Sequence, residues 1–331
     1  MAKDAKLAAL VAPVEAGLER MRDVLVHALA SDVPAVSDMI DHIGRFRGKQ
    51  LRGALVLLAG RAAGNRDDEL PAVASIVELI HLATLVHDDV LDSAEKRRRV
   101  ASVNRRWDNQ VAVLLGDFLY SRAFHLSTTL SSRIASRLLA TTTQEICAGE
   151  IEQAAGRFDF EMPLERAERI ATAKTGALYG AACELGASYP GDRDGYGAAL
   201  RAFGRELGLA FQLVDDVLDL DGDEDTVGKG VGTDVADGKV TWPVLHVYGA
   251  ADAATRAAIR DAYTLPGLED APGGRLARLR GVCDLAPGLL ATRARAESLV
   301  ASARSRLAGL EAGPARVALE ALGDYVLQRN W

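Results

Sequence analysis

The chain is 331 residues long, 49% hydrophobic and 26% charged, so it has the apolar side chains for a large core. Its formal net charge of −7 argues against a nucleic-acid partner, which calls for a basic footprint. Cys147, Cys183 and Cys283 show no metal-ligand spacing and read as reduced, buried thiols of a cytosolic protein.

Helical period runs through almost every long segment. Residues 1–30 mix charged and apolar side chains, with Leu7, Leu10, Val14, Leu18, Met21, Leu25 and Leu29 mostly three and four apart. That pattern predicts an N-terminal amphipathic helix and not a signal peptide. No run approaches the ~18 uninterrupted apolar residues of a transmembrane segment, so none is predicted. A buried helix is predicted over 49–63, around LRGALVLLAG. The next, 71–92, opens on Pro71 at a helix start and carries Val73, Ile76, Val77, Ile80 and Leu85. Further helices are predicted over 109–130, 133–156, 164–188, 195–220, 241–263, 275–305 and 314–329, with turn chemistry at 64–68, 189–197 and 265–275. No strand-like alternation persists. The reading is all-α, a single domain over 1–331 with long helices around a central cavity.

Two of these helices end on the same pentapeptide. Asp-Asp-Val-Leu-Asp stands at 88–92 and again at 215–219. Successive helical residues are about 100° apart, so Asp88, Asp89 and Asp92 share one face, as do Asp215, Asp216 and Asp219. Three like charges on one face repel. Oxygen-only clusters suit a hard ion, and Mg²⁺ binds through one or two carboxylates together with substrate phosphates. The pattern predicts several Mg²⁺ ions gripping a diphosphate between two helices. An acidic solvated face is the alternative.

The second copy is followed by the long irregular stretch 221–240, which holds five glycines with Lys229 and Lys239. Such a loop is ordinarily functional or disordered, and this one reads as a lid over phosphates. Other cations fall near the clusters. Lys49 and Arg52 share a helix face, and Arg97 and Arg98 follow Asp92 by five and six residues. Arginine grips phosphate oxygens as a fork and lysine as a point charge. His81 lies two turns before Asp88, where a lone His is ordinarily a core residue. Lys174 and Thr175 sit mid-helix among apolar turns.

Taken together these residues resemble the trans-isoprenyl diphosphate synthases, the trans-prenyltransferase family, over about residues 45–331. The motifs come in the family's order: GKQLRG at 48–53, IHLATLVHDDVLDSAEKRRR at 80–99, LLGDFLYSRAF at 114–124, GEIEQ at 149–153, KTGALY at 174–179, FQLVDDVLD at 211–219 and GKGVGTDVADGKVTWPVL at 228–245. Four positions depart from the usual pattern, namely Arg47, Gly53, Arg99 and Gly230.

The resemblance implies a Mg²⁺-dependent prenyltransferase that condenses isopentenyl diphosphate head to tail with an allylic diphosphate. It makes the six aspartates the metal-binding set. Lys49, Arg52, His81 and Arg98 would hold the isopentenyl diphosphate; Arg97, Lys174, Lys229 and Lys239 the allylic one. Thr175 and Gln212 would stabilise the allylic cation. The small residues Ala83 and Thr84, five and four positions before Asp88, resemble the medium- and long-chain members and suggest about eight isoprene units. A cytoplasmic homodimer is implied as well. A terpene cyclase fits less well, because it has one diphosphate to bind and a different second metal motif. A non-catalytic partner subunit would be expected to lose one Asp cluster, and both are intact.

Overall fold

The structure is a computed structural model that describes residues 2–44, 48–97, 100–192, 195–222, 231–268 and 274–329. Among the described residues the only strands are Lys96–Arg97 (β1) and Val100–Ala101 (β2), an antiparallel pair with Lys96 opposite Ala101 and Arg97 opposite Val100. The rest of the regular structure is helical. The chain forms two compact units. The first comprises Met1–Gln144, Leu178–Arg205 and Ala303–Tyr325, the second Glu145–Ala177, Glu206–Ser302 and Val326–Trp331.

The first unit begins with α1 (Ala2–Val11), a 3₁₀ turn at Ala12–Val14, and α2 (Glu15–Leu29). The single helix predicted there is broken because Pro13 lacks an N–H and its ring crowds the carbonyl four residues back. A short helix, α3 (Pro34–Ile43), lies where none was predicted; it starts on a proline without a side-chain cap and is too short for a firm period. The interior is built by α4 (Leu51–Ala62) and α5 (Leu70–Leu91). After α6 (Val103–Arg106), α7 (Asn109–Thr129) is capped by Asp108, which accepts from Val111 N at 2.7 Å.

Against the expectation of no spanning segment, α5 is long and apolar enough to cross a membrane by length and composition. It is instead the core helix of this unit, packed against α2, α4 and α7, with Ile76, Leu79 and Ile80 fully buried. Burying each such side chain is worth about 1.5–3 kcal/mol. Gly53 has a local reason: a Cβ there would stand 2.4 Å from Met21 Sδ and 3.2 Å from Glu78 Cγ, so a side chain at 53 would have to push the buried Met21 side chain of α2 aside. Its N–H donates to Glu78 Oε1 on α5 at 2.7 Å.

The later helices are α8 (Ile134–Ala155), α9 (Leu164–Ala171), a π-turn at Thr172–Gly176, α10 (Ala177–Ser188), α11 (Gly197–Asp221), α12 (Thr233–Ala236), α13 (Trp242–Ala250), α14 (Ala253–Thr264), α15 (Gly274–Val282), α16 (Ala286–Arg306) and α17 (Pro314–Leu327). The core of the second unit joins Phe160, Val235, Val244, Tyr248, Ile259, Tyr263 and Leu279. Phe160 meets Tyr263 edge-on at 5.2 Å between ring centroids.

Two long helices predicted in this unit are each two helices. The 241–263 segment breaks at Ala251-Asp252, where Asp252 turns extended and its carboxylate accepts from Thr255 N at 2.7 Å to start α14. The 275–305 segment breaks at 283–285, because Pro287 cannot continue a helix through Cys283 and Asp284 Oδ1 accepts from Ala286 N at 3.0 Å. The cysteine expectation also needs correction. Cys183 is buried, but Cys147 is exposed on α8 and Cys283 is half-buried.

Candidate active site

In the first unit the acidic cluster terminates α5. The apolar run carries Asp88 and Asp89 in the last turn; Asp92 is the residue that caps the helix. Asp89 is buried, Asp88 half-buried and Asp92 exposed, so the shared face is graded from interior to solvent. The β1–β2 hairpin brings Arg97 back onto Asp89, with Nε and Nη2 at 2.8 and 2.7 Å from Oδ1. Burial pushes the Asp89 carboxyl up and Arg97 pulls it down. Its Oδ2 is buried with no partner among the described residues, which costs about 1–3 kcal/mol. Arg98 lies outside the described residues.

The cations of the N-terminal motif belong to the same unit. Arg52 Nη1 donates to His81 Nε2 at 2.8 Å, so two predicted residues, 29 apart in sequence, meet. With Nε2 accepting, His81 carries its proton on Nδ1 in this arrangement. The Arg52 guanidinium lies 4.7 Å from the Tyr179 ring centroid, and its Nε is buried without a partner among the described residues. Lys49 Nζ donates to Tyr325 Oη at 2.6 Å. Farther back on α5, Ala83 is fully buried and Thr84 half-buried, with Thr84 Oγ1 donating to His81 O at 2.7 Å.

In the second unit α11 carries Gln212, Asp215, Asp216 and Asp219. Thr175 Oγ1 donates to Gln212 Oε1 at 2.9 Å, and Gln212 Nε2 donates to Asp216 Oδ1 at 2.9 Å. Burial first, then the charge of Asp234, holds the Asp216 carboxyl well above the usual carboxylate range; Asp215 and Asp219 add to the rise and Gln212 opposes it. Asp219 is fixed by α12. Its carboxylate accepts from Thr233 N and Asp234 N, both at 3.1 Å, and from Thr233 Oγ1 at 2.8 Å. Asp215 Oδ1 is held by Arg329 Nη2 at 2.7 Å.

Lys174 lies in the π-turn, a geometry frequent at functional sites. Its Nζ meets Glu150 Oε2 at 2.8 Å and donates to Gln153 Oε1, so the GEIEQ motif holds the KTGALY lysine. Gly149 permits the approach: a Cβ there would stand 2.8 Å from Ala173 Cβ. Lys239 pairs with Asp237 at 3.3 Å and Asp234 at 3.5 Å. Lys229 lies outside the described residues.

Among the described residues no group of three His, Cys, Asp or Glu side chains stands gathered as a ready metal site. Protein donors occupy Asp89, Asp215 and Asp219 instead. The donor set still suits a hard divalent ion. It is all oxygen, Asp89 keeps a buried Oδ2 with no partner among the described residues, and Asp216 is crowded by carboxylates whose repulsion a cation would relieve.

A family model described as Polyprenyl synthetase matches residues 33–271. The chain belongs to the polyprenyl synthetase family. This polyprenyl synthetase is 34% identical to the nonaprenyl diphosphate synthase of Mycobacterium tuberculosis, over 98% of its own length and 95% of the relative's. To the octaprenyl diphosphate synthase of Escherichia coli it is 33% identical, over 92% and 94% of the two chains. The structure of a polyprenyl synthase from Caulobacter crescentus, complexed with calcium and isoprenyl diphosphate, matches with a TM-score of 0.90 and 33% identity over 98% of each chain. The protein is therefore a prenyltransferase of the trans-prenyl diphosphate synthase type, with that family's all-α fold.

Five further residues at these sites carry no role in the sequence analysis. Tyr179, Glu150 and Gln153 stood inside motifs that pointed to them. Tyr325 and Arg329 follow no spacing rule, and only the folded chain shows them.

Proposed function

We propose that this polyprenyl synthetase condenses isopentenyl diphosphate head to tail with an allylic diphosphate, using Mg²⁺, and builds an all-trans polyprenyl diphosphate of about eight isoprene units. The observation that carries the reading is the doubled pentapeptide: one copy in each compact unit, each with one carboxylate gripped by an arginine. The calcium in the Caulobacter crescentus protein's structure favours a divalent ion as cofactor.

In this reading Asp88, Asp89, Asp92, Asp215, Asp216 and Asp219 hold the metal. Bound divalent ions supply electrostatic pull on a departing diphosphate. Arg97, Lys174, Lys229 and Lys239 bind that same allylic diphosphate and take up the negative charge that grows as its C–O bond ionises. Thr175 and Gln212, already hydrogen-bonded to one another, present oriented oxygens to the allylic cation. Lys49, Arg52, His81 and Arg98 hold isopentenyl diphosphate so that its double bond attacks that cation. A phosphate oxygen would satisfy the partnerless Arg52 Nε. The proton lost afterwards goes to the released diphosphate, so no protein nucleophile is needed. Ala83 and Thr84 leave room for a growing tail. The enzyme works in the cytoplasm as a homodimer.

The test incubates purified protein with Mg²⁺, isopentenyl diphosphate and, in separate tubes, dimethylallyl, geranyl, farnesyl or geranylgeranyl diphosphate, then sizes the dephosphorylated products. A ladder ending near eight units is expected. Products of three or four units would sink the chain-length reading, and no elongation with any primer would sink the synthase reading.

A further inference from the structure

Arg329 is a buried cation built into the second acidic cluster. It follows α17 by two residues, on non-helical backbone, with its N–H at 3.4 Å from Val326 O. Its guanidinium lies 3.5 Å from the centroid of the Phe211 ring, and its Nη2 stands 2.7 Å from Asp215 Oδ1. Phe211 and Asp215 are four apart on α11, so ring and carboxylate form one continuous seat for a planar cation. Only 7% of the Arg329 side chain and 24% of the Asp215 side chain is exposed, so this is no loose surface pair.

Without a counter-charge, Asp215 would face Asp216 and Asp219 on its own helix. Arg329 supplies that charge in the metal-free protein. A divalent ion on Asp215 would meet the guanidinium at close range, and two cations cannot both lie against one half-buried carboxylate without strong repulsion.

We propose that Arg329 is a positioning residue: a stand-in cation that holds and orients the Asp215 carboxylate until a divalent ion takes it, and that is released when it does. The inference rests on the reading of Asp215 as a metal-binding residue. Competition for one carboxylate is reciprocal, so Arg329 must weaken the first ion as much as that ion weakens the Arg329–Asp215 pair. A guanidinium off the helix can swing away without unwinding α11 or α17.

The probe is Mn²⁺ alone, with no diphosphate present. Free Mn²⁺ is counted by electron paramagnetic resonance against wild-type protein, Arg329→Gln, Arg329→Lys and Asp215→Asn. Arg329→Gln should bind the ion about tenfold more tightly than wild type, the worth of one charge-assisted contact. Arg329→Lys, which keeps the charge, should stay near wild type, and Asp215→Asn should bind more weakly. Unchanged or weaker binding in Arg329→Gln, with Asp215→Asn impaired, overturns the stand-in role and leaves the metal reading standing. Unchanged binding in Asp215→Asn removes Asp215 from the metal set and takes both readings down.

If Arg329→Gln does not fold, the wild type answers by itself. Trypsin cuts after a free arginine, and a cut after Arg329 releases Asn330-Trp331, a loss visible in the intact mass. That cut should be faster in Mn²⁺ than in EDTA; equal rates overturn the proposal.

Discussion

Asp216 shows what a single carboxylate costs when it is taken from water. Burial leads the rise in its pKa, followed by Asp234, with Asp215 and Asp219 adding to it. The unfolded chain titrates this group near the ordinary aspartate value of about 3.9. Between that value and the raised folded one, the native protein holds a proton that the unfolded chain has lost. Stability attached to this proton is present at low pH and disappears as pH climbs through the folded pKa. Asp216→Asn keeps an oxygen to accept from Gln212 Nε2 and removes the ionisation. In EDTA at pH 7–8 it should melt at least about 2 °C above wild type, and the gap should close toward about pH 4. A gap that persists on acidification would show that ionisation is not its source. Arg52 and His81 make the complementary point about legibility. Each was singled out from sequence, but nothing in a 29-residue separation says that one donates to the other. Thr175 and Gln212 likewise meet only in the folded chain.

At the scale of elements, α5 does two things, and its composition explains why it reads so clearly. A long apolar run makes a core helix, and carboxylates at its C-terminal end make the first acidic cluster. Elements with weaker contrast between apolar and polar stretches were harder to read. Ala- and Leu-rich period continues straight across 251–252 and 283–285, so the breaks made by Asp252 and Pro287 are invisible to periodicity. The π-turn at Thr172–Gly176 leaves the helical pattern intact and so gives no signal at all. On α5 the chain-length reading can be divided between two neighbours. Ala83 is fully buried, whereas Thr84 is half-buried. Phenylalanine at 83 must overpack the interior, at about 1–3 kcal/mol, while at 84 it has partly open space. Both Ala83→Phe and Thr84→Phe should shorten the dephosphorylated product, but only Ala83→Phe should also lower the melting temperature. Wild-type product length in both variants would rule out this stretch of α5 as the determinant.

For the whole molecule, the repeat is the feature that matters most: the same acidic pentapeptide occurs in each of two compact units, on a chain that carries a net charge of −7. A protein of that charge repels diphosphates at long range, so binding them demands local positive charge of the kind Arg97, Lys174 and Arg52 bring. If both clusters serve one ionisation step, their losses cannot multiply. Asp88→Asn and Asp215→Asn should each lower kcat at saturating Mg²⁺ by about a hundredfold or more, as does the loss of one preorganised electrostatic group elsewhere. The double variant should then be little worse than the poorer single one, because groups acting as a unit in one transition state are not additive. Independent sites would instead give a double variant reduced by the product of the two factors. Steady-state rates of the four proteins close this cycle, with melting curves confirming that all are folded. A multiplicative result would mean that the two pentapeptides act separately, and the single-step mechanism would have to be abandoned.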